Sequence, residues 1–368
     1  MRIGFVGGAS GGHFYPLIAV AEKINATNTN ARLYYFGPTP YNQDILDANN
    51  IKFVKVPAGK VRRYFSLLNF FDFFKTIGGL FVAWVKLYQV YPDIIFSKGG
   101  FTSVPVILMA RFYRIPVVIH ESDSKPGRAS LLAKKFAKRI AISYPEAAQY
   151  FPPEKTALTG IPLREEIIST VNNAHEMLGI PKDLPLIYVT GGSSGAERIN
   201  NLTLNSLNEL LPHYRIFHQA GEENVSRTKQ TSQALIQDPE LLGRYYIGGH
   251  LPVATVAALL SAADLVISRA GSTSIAEIAL HGKPAIIIPI PEEISHDQRT
   301  NAYAYARTGA ASVLEEGNTT EHLLEAEIKS ILSDTNRYES MAAAARNFTN
   351  PNAAKQIADL LISIGYEH

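Results

Sequence analysis

The sequence predicts an α/β protein made of two successive units, each built on a parallel sheet. Three observations lead to that fold class. First, the chain has 368 residues, which is long for one compact core. Second, short apolar runs of strand length alternate with helical patterns, as in parallel sheets with crossover helices. Third, a strand, a glycine-rich turn and a helix follow one another twice, at MRIGFVGGASGGHFYP and at PLIYVTGGSSGAERIN.

The first unit is predicted over residues 1–160. Its strands, with helices between them, are Arg2–Val6, Arg32–Phe36, Lys52–Val56, Asp93–Phe96, Val117–His120 and Arg139–Ile142. The alternation stops at TGIPLR, where glycine and proline interrupt it, so the boundary is placed there. A polar helix is predicted to follow, from about Arg164 to Leu178.

The second unit is predicted over residues 161–350, and the alternation restarts in it. After the strand in PLIYVT, the expected strands are Arg215–His218, Tyr245–Ile247, Leu265–Ile267, Ala285–Ile288 and Ser312–Leu314. Residues 351–368 carry a last helix, about Asn352 to Ile364, whose packing the sequence leaves open. Ligands of such sheets bind at the carboxyl ends of the strands, so the loops at those ends are the candidate sites.

Composition excludes several classes of protein. Hydrophobic residues make up 46% of the chain and charged residues 18%, which is typical of a globular protein. A net charge of +2 gives no argument for a nucleic-acid partner. Cysteine is absent, which excludes disulfides and cysteine metal sites and favours a reducing compartment. The N-terminus does not resemble a signal peptide, so a cytoplasmic location is the starting expectation.

The segment Val61–Gln89 is unusually aromatic. Large apolar residues recur at helical spacing: Leu67, Phe70, Phe71, Phe74, Phe81, Trp84 and Tyr88. Its charge-free stretch is too short to cross a bilayer. Two interpretations stay open. The helix is a buried core element, or it lies in a membrane interface with Arg62, Arg63, Lys75 and Lys86 around its apolar arc.

The turn GGASGGHFYP does not fit the common nucleotide motifs. It lacks the spacing of a dinucleotide fingerprint, no acidic residue ends the next strand, and no G-K-[ST] follows. The turn still aims a helix N-terminus at whatever lies before it, with His13 in the first helical turn. The alternative is a tight βα turn with no ligand.

Further candidates stand at other predicted strand ends. In SRAGSTSIAE, hydroxyls such as that of Ser272 and the helix N-terminus suit a diphosphate, and Glu277 suits a ribose; a Ser/Thr cap with a solvated glutamate is the alternative. GGSSG offers a second cradle at Ser193. In HESD, Glu121 and Asp123 could position or deprotonate a sugar hydroxyl, or act only as turn residues. No D-x-D motif occurs, so metal-independent chemistry is expected.

The chain resembles the MurG family over nearly its whole length. The resemblance rests on motifs in this order: GGASGGHFYP, HESDSKPG, TGIPLR, GGSSGAERIN, HQAG and SRAGSTSIAEIALHGKPAIIIPIP with HDQRTNA. The resemblance implies a GT-B fold, two Rossmann-like domains with parallel sheets facing a central cleft. It implies an inverting, metal-independent transfer of GlcNAc from UDP-GlcNAc to the muramoyl 4-hydroxyl of undecaprenyl-diphospho-MurNAc-pentapeptide (lipid I to lipid II) in peptidoglycan synthesis. It also implies no cofactor, and a peripheral protein on the cytoplasmic side of the inner membrane.

The resemblance also implies roles for single residues. Ser10, Gly11 and Gly12 would hold the acceptor diphosphate, with Asp123 near the acceptor. The base would be His13 or one of the carboxylates of Glu121 and Asp123. On the donor side the implied contacts are Arg164 near the nucleotide, Ser193 and Ser272 at the diphosphate, Glu277 at the ribose and Gln298 at the GlcNAc hydroxyls. The segment Val61–Gln89 would dock on the membrane.

The chain departs from the family pattern at three places. Asp123 stands where many members carry Asn, Ile161 replaces the Asn of G-N-P, and SHDQ replaces D-N-H-Q before and at Gln298. Three other functions are compatible with these motifs: a UDP-GlcNAc 2-epimerase, a transferase acting on another lipid or a natural product, and a catalytically silent nucleotide-sugar-binding scaffold. The aromatic, basic segment argues against a soluble epimerase, and intact loops in both units argue against the scaffold.

Overall fold

A computed structural model describes residues 1–8, 10–27, 30–59, 68–192, 196–291 and 296–367, leaving aside the side chains of 68–73 and 296–297. The chain divides into two compact units. The first consists of Met1–Arg164 together with Asn350–His368, and the second of Glu165–Thr349. Each unit has its own sheet and its own core, so each is described by itself.

The first unit contains a seven-stranded sheet in the order β3-β2-β1-β4-β5-β6-β7, and the second a six-stranded sheet in the order β10-β9-β8-β11-β12-β13. All paired strands run parallel, with direct register partners such as Phe5 and Phe96. In chain order the strands are β1 Arg2–Val6, β2 Arg32–Gly37, β3 Ile51–Lys55, β4 Ile94–Ser97, β5 Val117–Glu121, β6 Arg139–Ile142, β7 Thr156–Leu158, β8 Leu186–Thr190, β9 Arg215–Gln219, β10 Tyr245–Gly248, β11 Leu265–Ser268, β12 Ala285–Ile287 and β13 Ala311–Val313.

Helices connect the strands as crossovers. In chain order they are α1 Gly11–Thr27, α2 Gln43–Ala48, α3 Leu68–Val90, α4 Val104–Phe112, α5 Arg128–Ala133, α6 Glu165–Ile168, α7 Ala174–Leu178, α8 Glu197–Asn205, α9 Leu207–Leu210, α10 Val225–Leu235, α11 Pro239–Leu242, α12 Val253–Ala262, α13 Ser272–Leu280, α14 His296–Ala306, α15 Glu321–Ser333, α16 Thr335–Phe348 and α17 Ala353–Glu367. Short 3₁₀ turns lie at Phe101–Ser103, Pro145–Tyr150, Pro153–Lys155 and Glu222–Asn224.

The C-terminal helix α17, whose packing the sequence left open, belongs to the first unit. It packs on α1, and Ile357 and Leu361 are fully buried in the same core as Leu17 and Ile24. Asn350 ties its start to the first unit, because its side-chain amide donates to the carbonyl of Thr159 at 3.0 Å. The chain therefore leaves the first unit at Arg164 and returns to it at Asn350.

The predicted α/β fold class is confirmed, and each predicted strand is present with its ends displaced by at most one residue. Strand β7 was missed, because TAL is too short to show an alternating pattern. The helix predicted from Arg164 to Leu178 is wrong. It is two short helices, α6 and α7, since the residues between them, STVNN, include hydroxyl and amide side chains that compete for backbone hydrogen bonds.

Candidate active site

The first glycine turn is closely packed at Gly7 and Gly8. Gly7 and Gly8 have φ values of 131° and 98°, which L side chains rarely adopt. A Cβ on Gly7 would lie 2.9 Å from Cβ of Lys98, so glycine is also required by close approach. The hydroxyl of Tyr35 donates to the carbonyls of Gly7 at 2.7 Å and Gly8 at 3.1 Å. Tyr35 and Lys98 therefore pack directly against the two glycines that follow β1.

Helix α1 begins directly after this turn, with the predicted residues Ser10, Gly11 and Gly12 around its N-terminus. The carbonyl of Ser10 accepts the backbone N–H groups of His13 at 3.1 Å and Phe14 at 3.0 Å. Ser10 and Gly12 are exposed, so the positive end of the helix dipole faces outward. This end of the first unit is suited to an anionic ligand.

His13 is partly buried beside the loop that follows β4. Gly100 there has a φ of 76°, and a Cβ on it would lie 3.3 Å from the His13 ring. Burial, and then the positive charge of Lys98, lower the pKa of His13 to about 4, although Asp123 acts in the opposite direction. His13 is therefore a neutral imidazole near pH 7 and can accept a proton.

A buried cluster of ionisable groups lies at the ends of β4 and β5. The ammonium of Lys98 is 2.6 Å from Nδ1 of His120 and donates to the hydroxyl of Ser122. The other ring nitrogen of His120 lies 2.9 Å from the carbonyl oxygen of Gly160 and 3.3 Å from Oγ of Ser143. Burial, and then the charge of Lys98, hold the pKa of His120 well below its usual value.

Glu121 and Asp123 lie in this same cluster. One oxygen of Glu121 accepts the N–H of Asp123 at 3.1 Å, and the other accepts the N–H of Gly127 at 3.2 Å. Burial, and then the negative charge of Asp123, raise the pKa of Glu121 to about 7, while a hydrogen bond with Ser130 lowers it. Glu121 thus holds the 122–127 loop, whereas Asp123 is only half-buried and interacts electrostatically with His13.

Arg164, expected near the nucleotide, belongs to the first unit. Its guanidinium carbon is 4.2 Å from the ring centroid of Tyr15 on α1, a cation–π contact. Tyr15 in turn packs edge-to-face against Tyr41, with ring centroids 6.1 Å apart. The structure therefore brings Arg164 to the same helix that carries His13.

In the second unit, the turn after β8 repeats this strand, turn and helix arrangement. The N–H of Gly192, which has a φ of 90°, donates to Oγ1 of Thr190 at 3.1 Å. Ser193 lies outside the described residues, so its predicted role stays a prediction. Helix α8 is anchored by Asn200, whose side chain donates to the carbonyl of Ala220 at 2.9 Å and contacts Nε2 of His218 at 3.0 Å.

Helix α13 starts at Ser272 after the turn at Gly271, and Glu277 is half-buried on it. Glu277 lies close enough to Tyr188 for its charge to contribute, after burial, to the raised pKa of that phenol. The Tyr188 hydroxyl donates to Oε1 of Gln219 at 2.7 Å. Ser272 therefore begins α13 shortly after the carboxyl end of β11, and Glu277 follows further along the same helix; their predicted roles stay predictions.

Arg269 fixes the segment that precedes Gln298. Its guanidinium pairs with Glu316 at 2.5 Å and donates to the carbonyls of Ile288 at 3.1 Å and Pro289 at 3.3 Å. Gln298 is on α14, and its buried Oε1 has no hydrogen-bond partner among the described residues. A buried amide oxygen without a partner costs free energy, so a ligand hydroxyl is a fitting partner for it.

Helix α3 shows which interpretation of the aromatic segment holds. Phe74, Phe81, Trp84 and Tyr88 are exposed, Tyr88 to 72%, while Ala83 is fully buried on the opposite face. The interpretation as a buried core element is therefore wrong for these four aromatic side chains. Leu67, Arg62 and Arg63 lie outside the described residues, as do the side chains of Phe70 and Phe71. Among the described helices, none has the length and apolar character needed to cross a bilayer.

A basic cavity of about 480 Å³ lies beside α3, against strands β1, β2 and β3 of the first sheet. Arg2 and Arg32 are register partners on neighbouring strands, an arrangement in which like charges repel. The cations that line the cavity are Arg2, Arg32, Lys52, Lys55 and Lys86. The positive charge thus lines one side of α3, and the exposed aromatic rings lie on another side of the same helix.

Sequence reasoning missed Lys98, His120 and Arg269 as members of the site. The stretch FSKGG shows a lysine directly after an apolar strand, but nothing in the sequence predicts that this lysine is buried. No three His, Asp or Glu side chains of the described residues lie close enough together to hold a metal ion.

Comparisons with known proteins identify the family. The glycosyltransferase family 28 N-terminal domain matches residues 3–142, and its C-terminal domain matches residues 186–359. A Bacillus thuringiensis protein named UDP-N-acetylglucosamine--N-acetylmuramyl-(pentapeptide) pyrophosphoryl-undecaprenol N-acetylglucosamine transferase 2 is 36% identical, with 97% of each chain covered. The chain belongs to the MurG family. A Treponema denticola member is 33% identical over 98% of this chain and 96% of its own.

Solved structures agree with membership of the MurG family. The crystal structure of Acinetobacter baumannii MurG is 25% identical and has a TM-score of 0.76, covering 98% of this chain and 99% of its own. A UDP-GlcNAc 2-epimerase from Neisseria meningitidis has a TM-score of 0.69 at 14% identity, and the match covers 99% of this chain and 100% of the epimerase chain. The second likeness shows the fold alone. The predicted resemblance, the GT-B fold and the assignment as a glycosyltransferase are confirmed.

Proposed function

We propose that this MurG-family enzyme transfers GlcNAc from UDP-GlcNAc to the muramoyl 4-hydroxyl of undecaprenyl-diphospho-MurNAc-pentapeptide, the lipid I to lipid II step of peptidoglycan synthesis. The observation that carries the proposal is the arrangement at the start of α1. There an anion-binding helix N-terminus lies directly beside an imidazole that is neutral near pH 7. A lipid diphosphate and a sugar hydroxyl need those two features side by side.

On the acceptor side, the backbone around Ser10, Gly11 and Gly12 binds the diphosphate, helped by the dipole of α1. His13 accepts the proton of the 4-hydroxyl while that oxygen attacks the anomeric carbon of GlcNAc. The bond from that carbon to the UDP oxygen breaks as the new bond forms on the opposite face, so the configuration inverts. The proton ends on His13 and the negative charge on UDP.

The alternative bases are less suitable by position. Glu121 is 6% exposed and both of its oxygens already accept backbone N–H groups, which fits a residue that holds the loop. Asp123 is half-buried next to His13 and would stabilise the imidazolium that forms. Glu121 and Asp123 are thus assigned to the support of His13 and of the acceptor.

On the donor side, the diphosphate binds between the turn at Gly192, with Ser193, and the N-terminus of α13 at Ser272. Glu277 accepts the two ribose hydroxyls, and the buried amide of Gln298 pairs with hydroxyls of GlcNAc. Arg164 adds positive charge near the departing nucleotide. Helix dipoles and this charge stabilise the leaving UDP without a metal ion.

The enzyme is proposed to work as a peripheral protein on the cytoplasmic side of the inner membrane, through α3. Its exposed arc of Phe74, Phe81, Trp84 and Tyr88 supplies apolar contact. The basic cavity on the same helix supplies attraction to anionic lipid. An acceptor with an undecaprenyl chain requires such a surface, whereas a soluble epimerase substrate does not.

The test of transfer is the release of UDP from UDP-GlcNAc in EDTA, with and without a short-chain lipid I analogue. Release that needs the analogue and survives the chelator supports the proposal. Release without an acceptor would replace it with an epimerase or hydrolase, and UDP binding without turnover would replace it with a silent nucleotide-sugar-binding scaffold.

The test of membrane contact is flotation with vesicles that contain an anionic phospholipid. Replacing Phe81 and Trp84 by serine is expected to reduce the bound fraction at least several-fold, because exposed aromatic area is removed. Leu323→Ser, at an exposed position in the second unit, is the matched control and should float normally. Equal flotation of all variants would contradict docking through α3.

A further inference from the structure

Lys98 is buried at a position where lysine is unusual. It directly follows β4, and its backbone N–H donates to the carbonyl of Val6 at 2.9 Å, extending the strand ladder. The residue is only 3% exposed. Buried lysines are rare unless they are paired, so the contacts of this ammonium group indicate what it is there for.

Those contacts fix the state of His120. An ammonium group only donates, so Nδ1 of His120, 2.6 Å away, must be an acceptor. The ring proton is then on Nε2, which donates to the carbonyl of Gly160 at 2.9 Å. The same ammonium donates to the hydroxyl of Ser122. Lys98 thus holds both residues that flank Glu121.

The charged groups that face Lys98 come from two other elements. Glu121 and Asp123, on β5 and the loop after it, raise the pKa of Lys98, but burial outweighs them and lowers it to about 8. His13 faces it from α1. Lys98 is therefore charged at pH 7, and its charge opposes a second positive charge on His13.

We propose that Lys98 is a positioning residue for the proposed transfer. It is too deeply buried to touch a substrate, and it acts through His120 and Ser122. These two hold the end of β5 and the start of the loop that carries Asp123, whose charge acts on His13. The inference rests on the proposed function, since it gives His13 the role of base.

The experiment compares Lys98→Met with Lys135→Met, which removes the same charge from an exposed position of the first unit. Lys98→Met is expected to lower kcat about 10- to 100-fold, because a displacement of about 1 Å in a reacting group can cost about 100-fold. The KM for UDP-GlcNAc should stay within twofold, because the proposed donor contacts lie mainly in the second unit. Lys135→Met should behave as wild type.

A second readout separates positioning from mere structural support. The His13 ring, followed by NMR, should titrate at a higher pH in Lys98→Met than in wild type, because a lowering charge has been removed. Lys98→Arg keeps the positive charge, so the pKa of His13 should stay as low in that variant as in wild type. In wild type, kcat should fall as pH rises through about 8, where Lys98 loses its proton, and Lys98→Arg should move that fall upward.

Unchanged His13 titration together with kcat within twofold of wild type would overturn the proposal. If Lys98→Met does not fold, Ser122→Ala replaces it. That variant keeps the charge, so it should lower kcat several-fold without moving the His13 titration, and a wild-type kcat would count against positioning. Failure of the wild type to use lipid I would refute the proposed function, while the His13 titration would still report on Lys98.

Discussion

The two sheet edges share one backbone device and differ in chemistry. In the first unit the N–H of Gly99 donates to Oγ of Ser97 at 3.1 Å, and in the second the N–H of Gly192 donates to Oγ1 of Thr190 at the same distance. Both turns are thus closed by a hydroxyl at the last residue of a strand. However, the turn at Gly99 is surrounded by charged and titrating groups, whereas the turn at Gly192 is surrounded by a hydrogen-bonded network of neutral groups.

The difference in pKa values between the two sheet edges suggests different roles, chemistry at the first edge and binding of the donor at the second. Near the first turn, Lys98 and Glu121 have pKa values moved to about 8 and about 7, within reach of physiological pH. Near the second, burial lowers the pKa of His218 to about 3 and raises that of Tyr188, so both stay neutral. Strongly perturbed pKa values cluster at functional sites, and the first edge also holds His13, whose pKa is lowered to about 4. We therefore expect proton transfer at the first edge and donor binding at the second.

The largest expected effect is the loss of His13. His13→Ala should lower kcat by about 10² to 10⁴, the usual contribution of a general base, and leave UDP-GlcNAc binding unchanged. The rate of UDP release measures kcat, and calorimetry measures the binding of UDP-GlcNAc. His322→Ala, at an exposed position of the second unit, should leave both at wild-type values. A drop of less than threefold for His13→Ala would mean that the base is another group, with Asp123 the next candidate.

The second prediction concerns acid stability and the neutral state of His218. Its pKa is about 3 in the folded protein and about 6.5 when unfolded, so the unfolded chain binds the proton first as pH falls. Stability is therefore lost below pH 6.5, by about 3 kcal/mol at pH 4 from this residue. Glu121 acts in the opposite direction, because its pKa is raised.

Chemical denaturation at pH 7 and pH 4 tests this. His218→Gln should lose less stability between the two pH values than wild type, even though it is less stable at pH 7. His250→Gln, an exposed position, should keep the wild-type pH dependence. An unchanged pH dependence in His218→Gln would show that the second edge is not held neutral by burial.

The third prediction concerns donor recognition. Glu277→Gln should raise the KM for UDP-GlcNAc about 10- to 100-fold, because hydrogen bonds to a charged acceptor contribute about 1.5–3 kcal/mol. The kcat at saturating donor should change much less. Glu339→Gln, an exposed glutamate of the same unit, is the matched control. A fall in kcat with an unchanged KM would assign Glu277 to the reaction rather than to recognition.

The smallest effect is expected for Arg164 on Tyr15. A double-mutant cycle with Arg164→Gln and Tyr15→Leu should give a coupling of about 0.5–1 kcal/mol in unfolding free energy. If Arg164 also serves the nucleotide, Arg164→Gln should raise the KM for UDP-GlcNAc while Tyr15→Leu does so less. Equal KM values in wild type and both variants would limit Arg164 to packing in the first unit.

The sequence predicted the strands well because buried parallel strands are continuous apolar runs bounded by turns. It predicted that Ser10, His13 and Ser272 come shortly after strand ends, whereas the roles of these residues stay predictions. The sequence did not predict the burial of Lys98, because lysine is strongly hydrophilic and is mostly exposed in proteins. Nor did it predict that Arg164 lies on Tyr15, a contact between residues far apart in the chain.

The aromatic segment shows a similar limit. Helical spacing could not decide between core and lipid for Phe81 and Trp84, because both uses need the same apolar period. Only the position of Ala83 against the first sheet shows which side of α3 is turned inward. The direction of a helix face is set by its neighbours in space, which a single sequence does not contain.

The return of the chain at Asn350 has a consequence for folding. The first unit needs Ile357 and Leu361 of α17 to complete its core, and these residues follow the whole second unit along the chain. The second unit, Glu165–Thr349, is continuous, so its core forms from one uninterrupted segment. Contacts between distant parts of a chain form slowly because a long loop must close first. We therefore expect the unit that carries the exposed rings of α3 to close its core after the second unit has folded.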